Sequence, residues 1–381
     1  MSGGERTRVA VVTGSRAEFG LLDPVMRAIA SRPELELCAI AAGSHLVAPA
    51  CTWRDIESAG FEIAARVEMQ REGHRSRADD AAALGRGVAG FADAFARTEP
   101  DWVVVLGDRV EAFAAAAAAS VGGCALAHLH GGDRAEGIAD EAMRHAVTKL
   151  AHLHLPATHA SAERIVRMGE APDRVRVVGS PAIDGLARIE PMTDERANEI
   201  GDPEIVVLLH PAGLDERDER AWARAVLGAV DGRRALALMP NLDAGREWIA
   251  DELRRGADAL SCGLLEHMPR GLFVGLLKRL AVRAGVLIGN SSAGLIECAA
   301  LGVACVNVGP RQSGRERACN VIDALDARAS AVRNAIEQAR ALDLARRPHP
   351  YGDGRSGERA AAALAEIDPR APAFLRKRCV Y

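Results

Sequence analysis

Polar side chains recur in this sequence at the points where apolar segments end. Asp108 follows the apolar run Trp102–Leu106. His128, His130 and His210 stand at the ends of two further runs. The carboxyl ends of parallel strands meet at one edge of a sheet, which is where such sheets hold ligands. Carboxylates and imidazoles transfer protons near neutral pH, so this placement predicts acid–base chemistry at a sheet edge.

The segment Val286–Gly309 has a second chemical pattern, which reads as strand, polar turn, helix and strand. Ser291 or Ser292 can cap the helix that carries Glu297. A capped helix N-terminus directs N–H groups and the positive end of its dipole toward a ligand, which is typical of phosphate sites. Glu297 could accept hydrogen bonds from ribose hydroxyls. The alternative is a capped junction without a ligand.

The loop after each of two predicted strands, Gly14–Arg16 and Asp108, has both a functional and a structural interpretation. Gly14 allows close approach of the backbone to a ligand, and Arg16 offers a planar set of donors suited to phosphate. Arg16 could equally be a solvated loop residue. Asp108 could be a catalytic carboxylate, a helix N-cap that accepts from the Val110 or Glu111 amide, or both.

A metal site is the alternative interpretation of the segment from His128 to Asp133. Strand alternation puts His128 and His130 on one face, and Asp133 follows three residues later. Metallohydrolases usually have a denser ligand set, and the sequence contains no HExxH motif or cysteine partner here. We therefore expect no metal and no cofactor, and activity without added divalent ions.

Composition excludes several classes of protein. The chain has 381 residues, a net charge of −4 and 49% hydrophobic residues, as expected for a globular protein with room for two domains. Lys and Arg are spread along the chain, so no nucleic-acid partner is expected. The polar start is unlike a signal peptide, the longest apolar run is too short to span a membrane, and the cysteines are scattered. These features predict a cytoplasmic location and no membrane partner.

Strands and helices alternate in two series, which predicts an α/β protein with two Rossmann-like domains. The first domain is expected over residues 1–184 and the second over 204–354, separated by a stretch rich in Pro and Gly; the tail, 355–381, contains a helix over Arg355–Ile367. The predicted strands are Arg8–Gly14, Glu36–Gly43, Trp102–Leu106, Cys124–His130, His152–Pro156, Val175–Val178, Glu204–His210, Arg234–Met239, Leu260–Leu265, Val286–Gly289 and Val303–Val308.

Five segments, in order along the chain, resemble the hydrolysing UDP-N-acetylglucosamine 2-epimerases of the sialic-acid and legionaminic-acid pathways. They are Val12–Gly20 (VTGSRAEFG), Leu106–Ala112 (LGDRVEA), Asp140–Leu150 (DEAMRHAVTKL), Gly289–Glu297 (GNSSAGLIE) and Val306–Arg315 (VNVGPRQSGR). The resemblance implies a glycosyltransferase-B architecture, in which two Rossmann-like domains face a cleft and the tail helix returns to the first domain.

The resemblance also implies roles for individual residues. It places catalytic carboxylates at Asp108 and Asp140, although the spacing from His128 leaves Glu141 as an alternative to Asp140. His128 and His210 match histidines of the family site. The residues expected to contact the nucleotide or its phosphates are Arg16, Ser291, Ser292, Gly294, Glu297, Arg311 and Phe273.

His130 departs from the family pattern, which most often has a catalytic glutamate at this position. An imidazole can still act as a general acid or base. We therefore expect Asp108 and His130 to share the proton transfers at C2, with Asp140 assisting. The missing carboxylate could instead be supplied by Asp133, Glu136 or Asp140.

The implied reaction removes the C2 proton of a UDP-linked sugar, expels UDP through a glycal-like intermediate and adds water at C1. The products are UDP and free N-acetylmannosamine or a 2,4-diacetamido relative. The expected partners are a UDP-sugar and further copies of the chain, as a dimer or tetramer. The rival interpretations are a glycosyltransferase of the same architecture, a non-catalytic nucleotide-sugar-binding protein and a metal-dependent hydrolase, and a GDP carrier also stays open.

Overall fold

The computed structural model describes residues 6–48, 50–73, 76–135, 139–241, 243, 245–346 and 348–380, with residues 139 and 140 described by their backbone alone. The described residues form two compact units, each built on a six-stranded parallel sheet. Within these limits, the first unit comprises residues 1–133, 139–184 and 352–381, and the second comprises 134–138 and 185–351. The predicted α/β class with two Rossmann-like sheets is confirmed.

The sheet of the first unit has the strand order β3-β2-β1-β4-β5-β6. Its elements are β1 (Thr7–Thr13), α1 (Arg16–Ala30), β2 (Leu35–Ala42), α2 (Trp53–Ser58), β3 (Ile63–Val67), α3 (Arg77–Thr98), β4 (Trp102–Leu106), α4 (Val110–Gly122), β5 (Ala125–Leu129), α5 (Ala139–Leu150), β6 (Leu153–Leu155) and α6 (His159–Arg167). This is the order of the doubly wound dinucleotide-binding fold, in which the ligand crevice opens between the first and fourth strands.

Local sequence signals define where these elements begin. β1 and β4 are runs of Val and other apolar residues that are buried on both faces, as parallel strands must be. Ser15 caps α1 by accepting from the Glu18 amide, and Ser76 and Asp79 form a capping box at the start of α3. The parallel pairing of β1 with β4 places the ends of these two strands beside each other.

The second unit repeats this topology, with the strand order β12-β11-β10-β7-β8-β9. Its elements are α7 (Asp194–Glu199), β7 (Ile205–Leu208), α8 (Glu216–Val230), β8 (Ala235–Leu238), α9 (Arg246–Arg255), β9 (Leu264–Leu265), α10 (Arg270–Val282), β10 (Val286–Gly289), α11 (Glu297–Leu301), β11 (Ala304–Val308), β12 (Val321–Ala324) and α12 (Ala329–Arg340). Counted from β7 the order is the same as in the first unit, so the ligand crevice is expected between β7 and β10.

The end of the chain folds onto the first unit as α13 (Ser356–Glu366) and α14 (Pro372–Leu375). The Asp184 carboxylate accepts from the backbone N–H groups of Ser356 and Gly357, which caps α13 from a distant part of the chain. Gly357 allows α13 to lie against α1, because a Cβ atom there would come within 2.5 Å of the Pro24 carbonyl oxygen.

The last residues are anchored by a buried ionic cluster around Glu170. Its carboxylate contacts Lys149 Nζ at 2.5 Å, Lys377 Nζ at 2.6 Å and His154 Nε2 at 3.1 Å. Burial raises the pKa of Glu170, but the hydrogen bonds from His154, Lys149 and Lys377 outweigh this and lower the pKa to about 2. The cluster therefore depends on a charged Glu170.

Glu170→Gln should lower the free energy of unfolding at pH 7 by roughly 3 kcal/mol, because the ionised form is favoured in the folded state. A depressed folded-state pKa gives stability that is present above about pH 4.5 and is lost as the pH falls toward 2. The wild type should therefore destabilise on acidification more than the variant does. Urea unfolding at pH 7 and pH 3 measures the free energy of unfolding of the wild type and of Glu170→Gln, with the exposed Glu163→Gln as control. Equal free energies of unfolding for the wild type and Glu170→Gln at pH 7 would contradict the prediction.

The structure corrects several predicted elements. Val175–Val178 forms no strand, because the turn Pro172–Arg174 and Gly179 leave room only for a single bridge to His154. Of Leu260–Leu265 only the last two residues are a strand. The edge strands β3 and β12 were missed. Within the described residues, no helix is both long enough and apolar enough to cross a membrane.

Candidate active site

The crevice of the first unit lies at the ends of β1 and β4, and both predicted functional residues there are held by opposite charges. Arg16 begins α1, and its Nε is 2.7 Å from Asp55 Oδ2, with both side chains about 40% exposed. Asp108 forms an ion pair with Arg144 of α5. This crevice thus carries an exposed pair, Arg16–Asp55, and a largely buried pair in which only Asp108 is partly exposed.

Arg144 is the centre of a cluster that the sequence did not reveal. Its side chain is only 3% exposed, and Nη1 lies 3.5 Å from Glu141 Oε2 in addition to the contact with Asp108. Glu141 also contacts His145 Nε2 at 3.3 Å. Helical spacing places Glu141, Arg144 and His145 on one face, so the signal that could have found Arg144 was its position one turn after the predicted acid.

Asp108 does not cap the following helix, contrary to one of the predicted roles. The N-cap position of α4 is Arg109, and no side-chain hydrogen bond caps that helix. Gly107 has a positive φ of 72°, which turns the chain so that Asp108 meets Arg144 instead of the amides of α4. The carboxylate is therefore committed to an ion pair at the site.

His128 is fully buried and joins three elements. Its Nε2 donates to the Gly107 carbonyl oxygen at 2.7 Å, and its Nδ1 lies 3.2 Å from Thr148 Oγ1 of α5. Burial lowers the pKa of His128 to about 3, so the ring is neutral. This histidine fixes the turn before Asp108 against α5, which carries Arg144.

His130 has hydrogen-bond partners inside the protein at both ring nitrogens. Nδ1 is 2.8 Å from Asp133 Oδ2, and Nε2 is 3.0 Å from Ser180 Oγ. Asp133 Oδ1 accepts from Ser161 Oγ at 2.7 Å, which ties the loop to the start of α6. The backbone of His130 has a φ of 60°, so the strand turns there and the ring leaves the path of β5.

Two other predicted positions fall at the limits of the described structure. Asp140 is the second residue of α5, and its side chain lies outside the described part. Glu136, one of the alternatives for the missing carboxylate, also lies outside the described residues. The structure thus leaves Asp140 and Glu141 as alternatives for the second carboxylate.

The crevice of the second unit lies between β7 and β10, where His210 and Asn290 hold each other. The Asn290 amide oxygen accepts from the His210 backbone N–H at 2.8 Å, and its amide nitrogen donates to the His210 carbonyl oxygen at 2.7 Å. The His210 ring accepts at Nδ1 from the Asn241 N–H at 3.2 Å, which makes Nδ1 the unprotonated nitrogen of a neutral ring. His210, Asn241 and Asn290 therefore form one polar group at this edge.

Arg311 and Gln312 reach the same edge from the loop after β11. Arg311 donates from Nε to the Pro211 carbonyl oxygen and from Nη1 to that of Asn290, both at 3.1 Å. Gln312 Nε2 donates to the same Asn290 oxygen at 2.9 Å. These contacts fix the Arg311 guanidinium beside the ends of β7 and β10.

Backbone N–H groups beside His210 already have an anionic partner. The buried Glu219 carboxylate accepts from Ala212 N at 2.6 Å and from Leu214 N at 3.2 Å. Burial raises the pKa of Glu219, although the backbone donors oppose this. This loop therefore binds the protein's own carboxylate.

The turn after β10 differs from the predicted capped helix. Ser291 accepts from the Ala293 amide and caps a short 3-10 turn over Ser292–Gly294, and α11 begins only at Glu297. The tight turn follows from Gly294, whose Cα lies so close to the Cys305 sulfur of β11 that a Cβ atom would clash. The prediction that Ser291 or Ser292 caps the helix carrying Glu297 is therefore wrong, and phosphate binding at these two serines stays a prediction.

The remaining nucleotide-site residues have mixed placements. Glu297 is buried, and its Oε1 lies 3.3 Å from Arg270 Nη1. Phe273, on α10 one turn after Arg270, is partly buried and lies outside the apolar core of the second unit. Among the described residues, no group of three or more His, Cys, Asp or Glu side chains is arranged to hold a metal ion.

Comparison with known proteins identifies the family of this chain. The sequence profile of the UDP-N-acetylglucosamine 2-epimerase family matches residues 27–365. The chain belongs to this family. It is 33% identical to a hydrolysing UDP-N,N'-diacetylbacillosamine 2-epimerase of Legionella pneumophila, over 94% of this chain and 96% of that protein.

Further members of the family extend the comparison. A hydrolysing GDP/UDP-N,N'-diacetylbacillosamine 2-epimerase of Campylobacter jejuni is 29% identical over 84% of each chain. The crystal structure of Neisseria meningitidis UDP-GlcNAc 2-epimerase bound to UDP-GlcNAc has a TM-score of 0.76 at 16% identity, covering 95% of this chain and all of that one. The epimerase fold is therefore shared over nearly the whole length.

Proposed function

We propose that this epimerase is of the hydrolysing type and converts a UDP-linked N-acetylated hexosamine to UDP and the free sugar inverted at C2. The relatives from Legionella pneumophila and Campylobacter jejuni are both described as hydrolysing and as acting on N,N'-diacetylbacillosamine nucleotides. A 2,4-diacetamido sugar is accordingly the substrate that we favour over N-acetylglucosamine, with UDP as the carrier.

The observation that carries the proposal is the Asp108–Arg144–Glu141 cluster at the crevice of the first unit. Removal of a proton from C2 requires a carboxylate that is accessible and held in place, and Asp108 retains 19% exposure while Arg144 is buried beneath it. The guanidinium stabilises the negative charge of the carboxylate in its base form. A second acid–base group is provided by Asp140 or Glu141 at the start of α5.

The chemistry then proceeds in two steps. One carboxylate takes the C2 proton, the electron pair of the C2–H bond forms a C1–C2 double bond, and the C1–O bond to UDP breaks. In the second step the oxygen of water bonds to C1, the other acid delivers its proton to the opposite face of C2, and the proton released by the water returns to that acid. The first carboxylate passes the proton taken from C2 to the departing UDP or to solvent, so both carboxyl groups regain their initial protonation states and the sugar leaves inverted at C2.

We assign His128 and His130 to positioning, in place of the direct proton transfer expected from the sequence. Both ring nitrogens of each histidine contact protein groups, and both rings are buried. His128 holds the turn before Asp108, and His130 holds the loop that leads to α5. Their loss would displace the carboxylates without removing a reacting group.

The second unit is proposed to bind the nucleotide. The Arg311 guanidinium stabilises the negative charge of the departing diphosphate. We assign hydrogen-bond donation to the phosphate oxygens to Ser291, Ser292 and the Gly294 backbone. His210 is assigned to contact the sugar or the phosphate. Glu297 would accept from the ribose hydroxyls and Phe273 would contact the uracil.

The products decide this proposal. The purified chain, incubated with UDP-N-acetylglucosamine or a UDP-linked 2,4-diacetamido sugar and followed by ¹H and ³¹P NMR, should release UDP and the free manno-configured sugar. Turnover should be faster with the diacetamido substrate. A UDP-linked C2 epimer as the accumulating product would show a non-hydrolysing enzyme, and UDP release only in the presence of an acceptor would show a glycosyltransferase.

A further inference from the structure

Two buried glutamates lie at the crevice of the first unit, and the proposed chemistry uses neither. Glu18 comes from the first turn of α1 and Glu111 from the first turn of α4. They are 4% and 0% exposed, so neither side chain is open to a substrate. Both belong to segments that stand at the switch point of the sheet, immediately after β1 and β4.

The two carboxyl groups converge on Gly14, the residue that follows β1. Glu18 Oε2 accepts from the Gly14 N–H at 2.5 Å. Glu111 packs against the Gly14 Cα so closely that a Cβ atom there would lie 2.5 Å from the Glu111 Cγ. Ser44 Oγ donates to the Gly14 carbonyl oxygen at 2.9 Å, so both the backbone N–H and the carbonyl group of Gly14 are hydrogen-bonded. The conformation of the turn leading to Arg16 depends on these contacts.

Few charges compensate the pair. Glu111 accepts from Arg109 Nε at 3.3 Å and from the neutral Gln70 amide at 3.0 Å. His45 lies nearby on the turn after β2, and burial lowers its pKa to about 4, so it is uncharged. Arg16, at the start of α1, is paired with Asp55. Arg109 is thus the cation that neutralises the pair, and it contacts Glu111.

Within the part of the chain that the structure describes, Arg109 is the cation in contact with the pair of buried carboxyl groups, through Glu111, which favours a state in which one proton is retained. Burial, with the nearby Glu111 charge, raises the pKa of Glu18 to about 8. Glu111 is the member of the pair that contacts the Arg109 guanidinium and the Gln70 amide. Loss of the Glu18 proton at alkaline pH puts an additional negative charge into the buried site beside Gly14 and Glu111, and the cost of that charge displaces a side chain that holds Gly14.

We propose that Glu18 and Glu111 form a carboxylic acid–carboxylate pair that positions the Gly14–Arg16 turn for substrate binding. The inference rests on the proposed function only in taking the nucleotide sugar as the ligand of this turn. Both glutamates are positioning residues, and loss of the Glu18 proton loosens the turn at alkaline pH.

Hydrogen exchange of the full chain tests how rigidly residues 14–16 are held, and it does not require catalytic activity. Protection of the amides of residues 14–16, corrected for the intrinsic pH dependence of exchange, should fall at least tenfold between pH 7 and pH 9 in the wild type. Glu18→Gln keeps the acceptor for Gly14 without a titrating charge, and Glu111→Gln removes the repulsion. Both variants should lose this pH dependence, and the exposed Glu62→Gln should behave as the wild type does.

The pH profile of kcat/KM tests the functional consequence on the same proteins. The wild type and Glu62→Gln should share a decline with an apparent pKa near 8, which both buried-site variants lack. Wild-type protection that is unchanged between pH 7 and 9, or an equal loss in Glu18→Gln, overturns the proposal. If protection of residues 14–16 falls with pH as expected but the kcat/KM profile does not change, the positioning role is overturned.

If protection falls as expected in a protein that converts no nucleotide sugar, the pair is supported and the proposed function is refuted instead.

Discussion

Asp108→Asn should lower kcat/KM by about 10³-fold, because it removes a proton-transfer group whose usual contribution is 10²–10⁴. The amide keeps the size of the side chain but cannot take the C2 proton. It also removes one carboxylate partner of the buried Arg144, which keeps its contact with Glu141 at 3.5 Å. UDP release measured with saturating and limiting substrate should show the loss mainly in kcat.

The matched control is Asp93→Asn, an equivalent change at an exposed position of α3. Its kcat/KM should stay within twofold of the wild-type value. Because breaking a buried ion pair also costs stability, thermal unfolding of Asp108→Asn must be measured to confirm that the protein is folded in the assay. A folded Asp108→Asn enzyme with more than a tenth of the wild-type rate would refute the assignment of Asp108 as an acid–base residue.

Arg311→Ala should weaken UDP binding by about 100-fold, or roughly 2.7 kcal/mol, as expected for loss of a charged hydrogen-bonding partner. Its guanidinium is fixed by two carbonyl oxygens at the ends of β7 and β10, so its charge is already in place before the ligand binds. Titration calorimetry with UDP measures the change directly.

Arg311→Lys should give an intermediate loss, because it keeps the charge but not the planar donors that hold both carbonyl groups. Arg328→Ala, which removes an exposed arginine paired with Asp326, serves as the control and should bind UDP normally. Unchanged UDP affinity in a folded Arg311→Ala protein would mean that the diphosphate binds elsewhere.

The sequence predicted the central strands well because their signal is local. β4 and β10 were predicted at their observed bounds, since buried parallel strands are short apolar runs with clear ends. The edge strands β3 and β12 were missed because one side of an edge strand is solvated and its composition is mixed. Val175–Val178 has the composition of a strand, but the turns on either side leave it too short to pair.

The candidate site was predictable in its location but not in its contacts. Asp108 and His210 were found because each follows a strand end, and in each unit the topology brings such positions to one edge of that unit's own sheet. Arg144 lies 36 positions from Asp108, and only the packing of α5 against β5 makes the ion pair. The short turn at Ser291 reflects Gly294 packing against Cys305, a contact between distant segments that no local cap signal reveals.

The burial of Glu18 and Glu111 could not be predicted from the sequence either. Both stand in segments that the sequence marked as functional, yet as acidic residues in the first turn of a helix they resemble ordinary dipole partners. Only the structure reveals that both are buried and meet at Gly14.

The central claim is that this epimerase breaks the C2–H bond, expels UDP and adds water to the intermediate. The most direct test is to run the reaction of the wild-type protein in D₂O with a UDP-linked 2,4-diacetamido sugar and to analyse the product by NMR. We expect a free sugar inverted at C2, with deuterium at C2 in essentially every product molecule. A free sugar that retains its original C2 hydrogen or configuration would rule out this reaction.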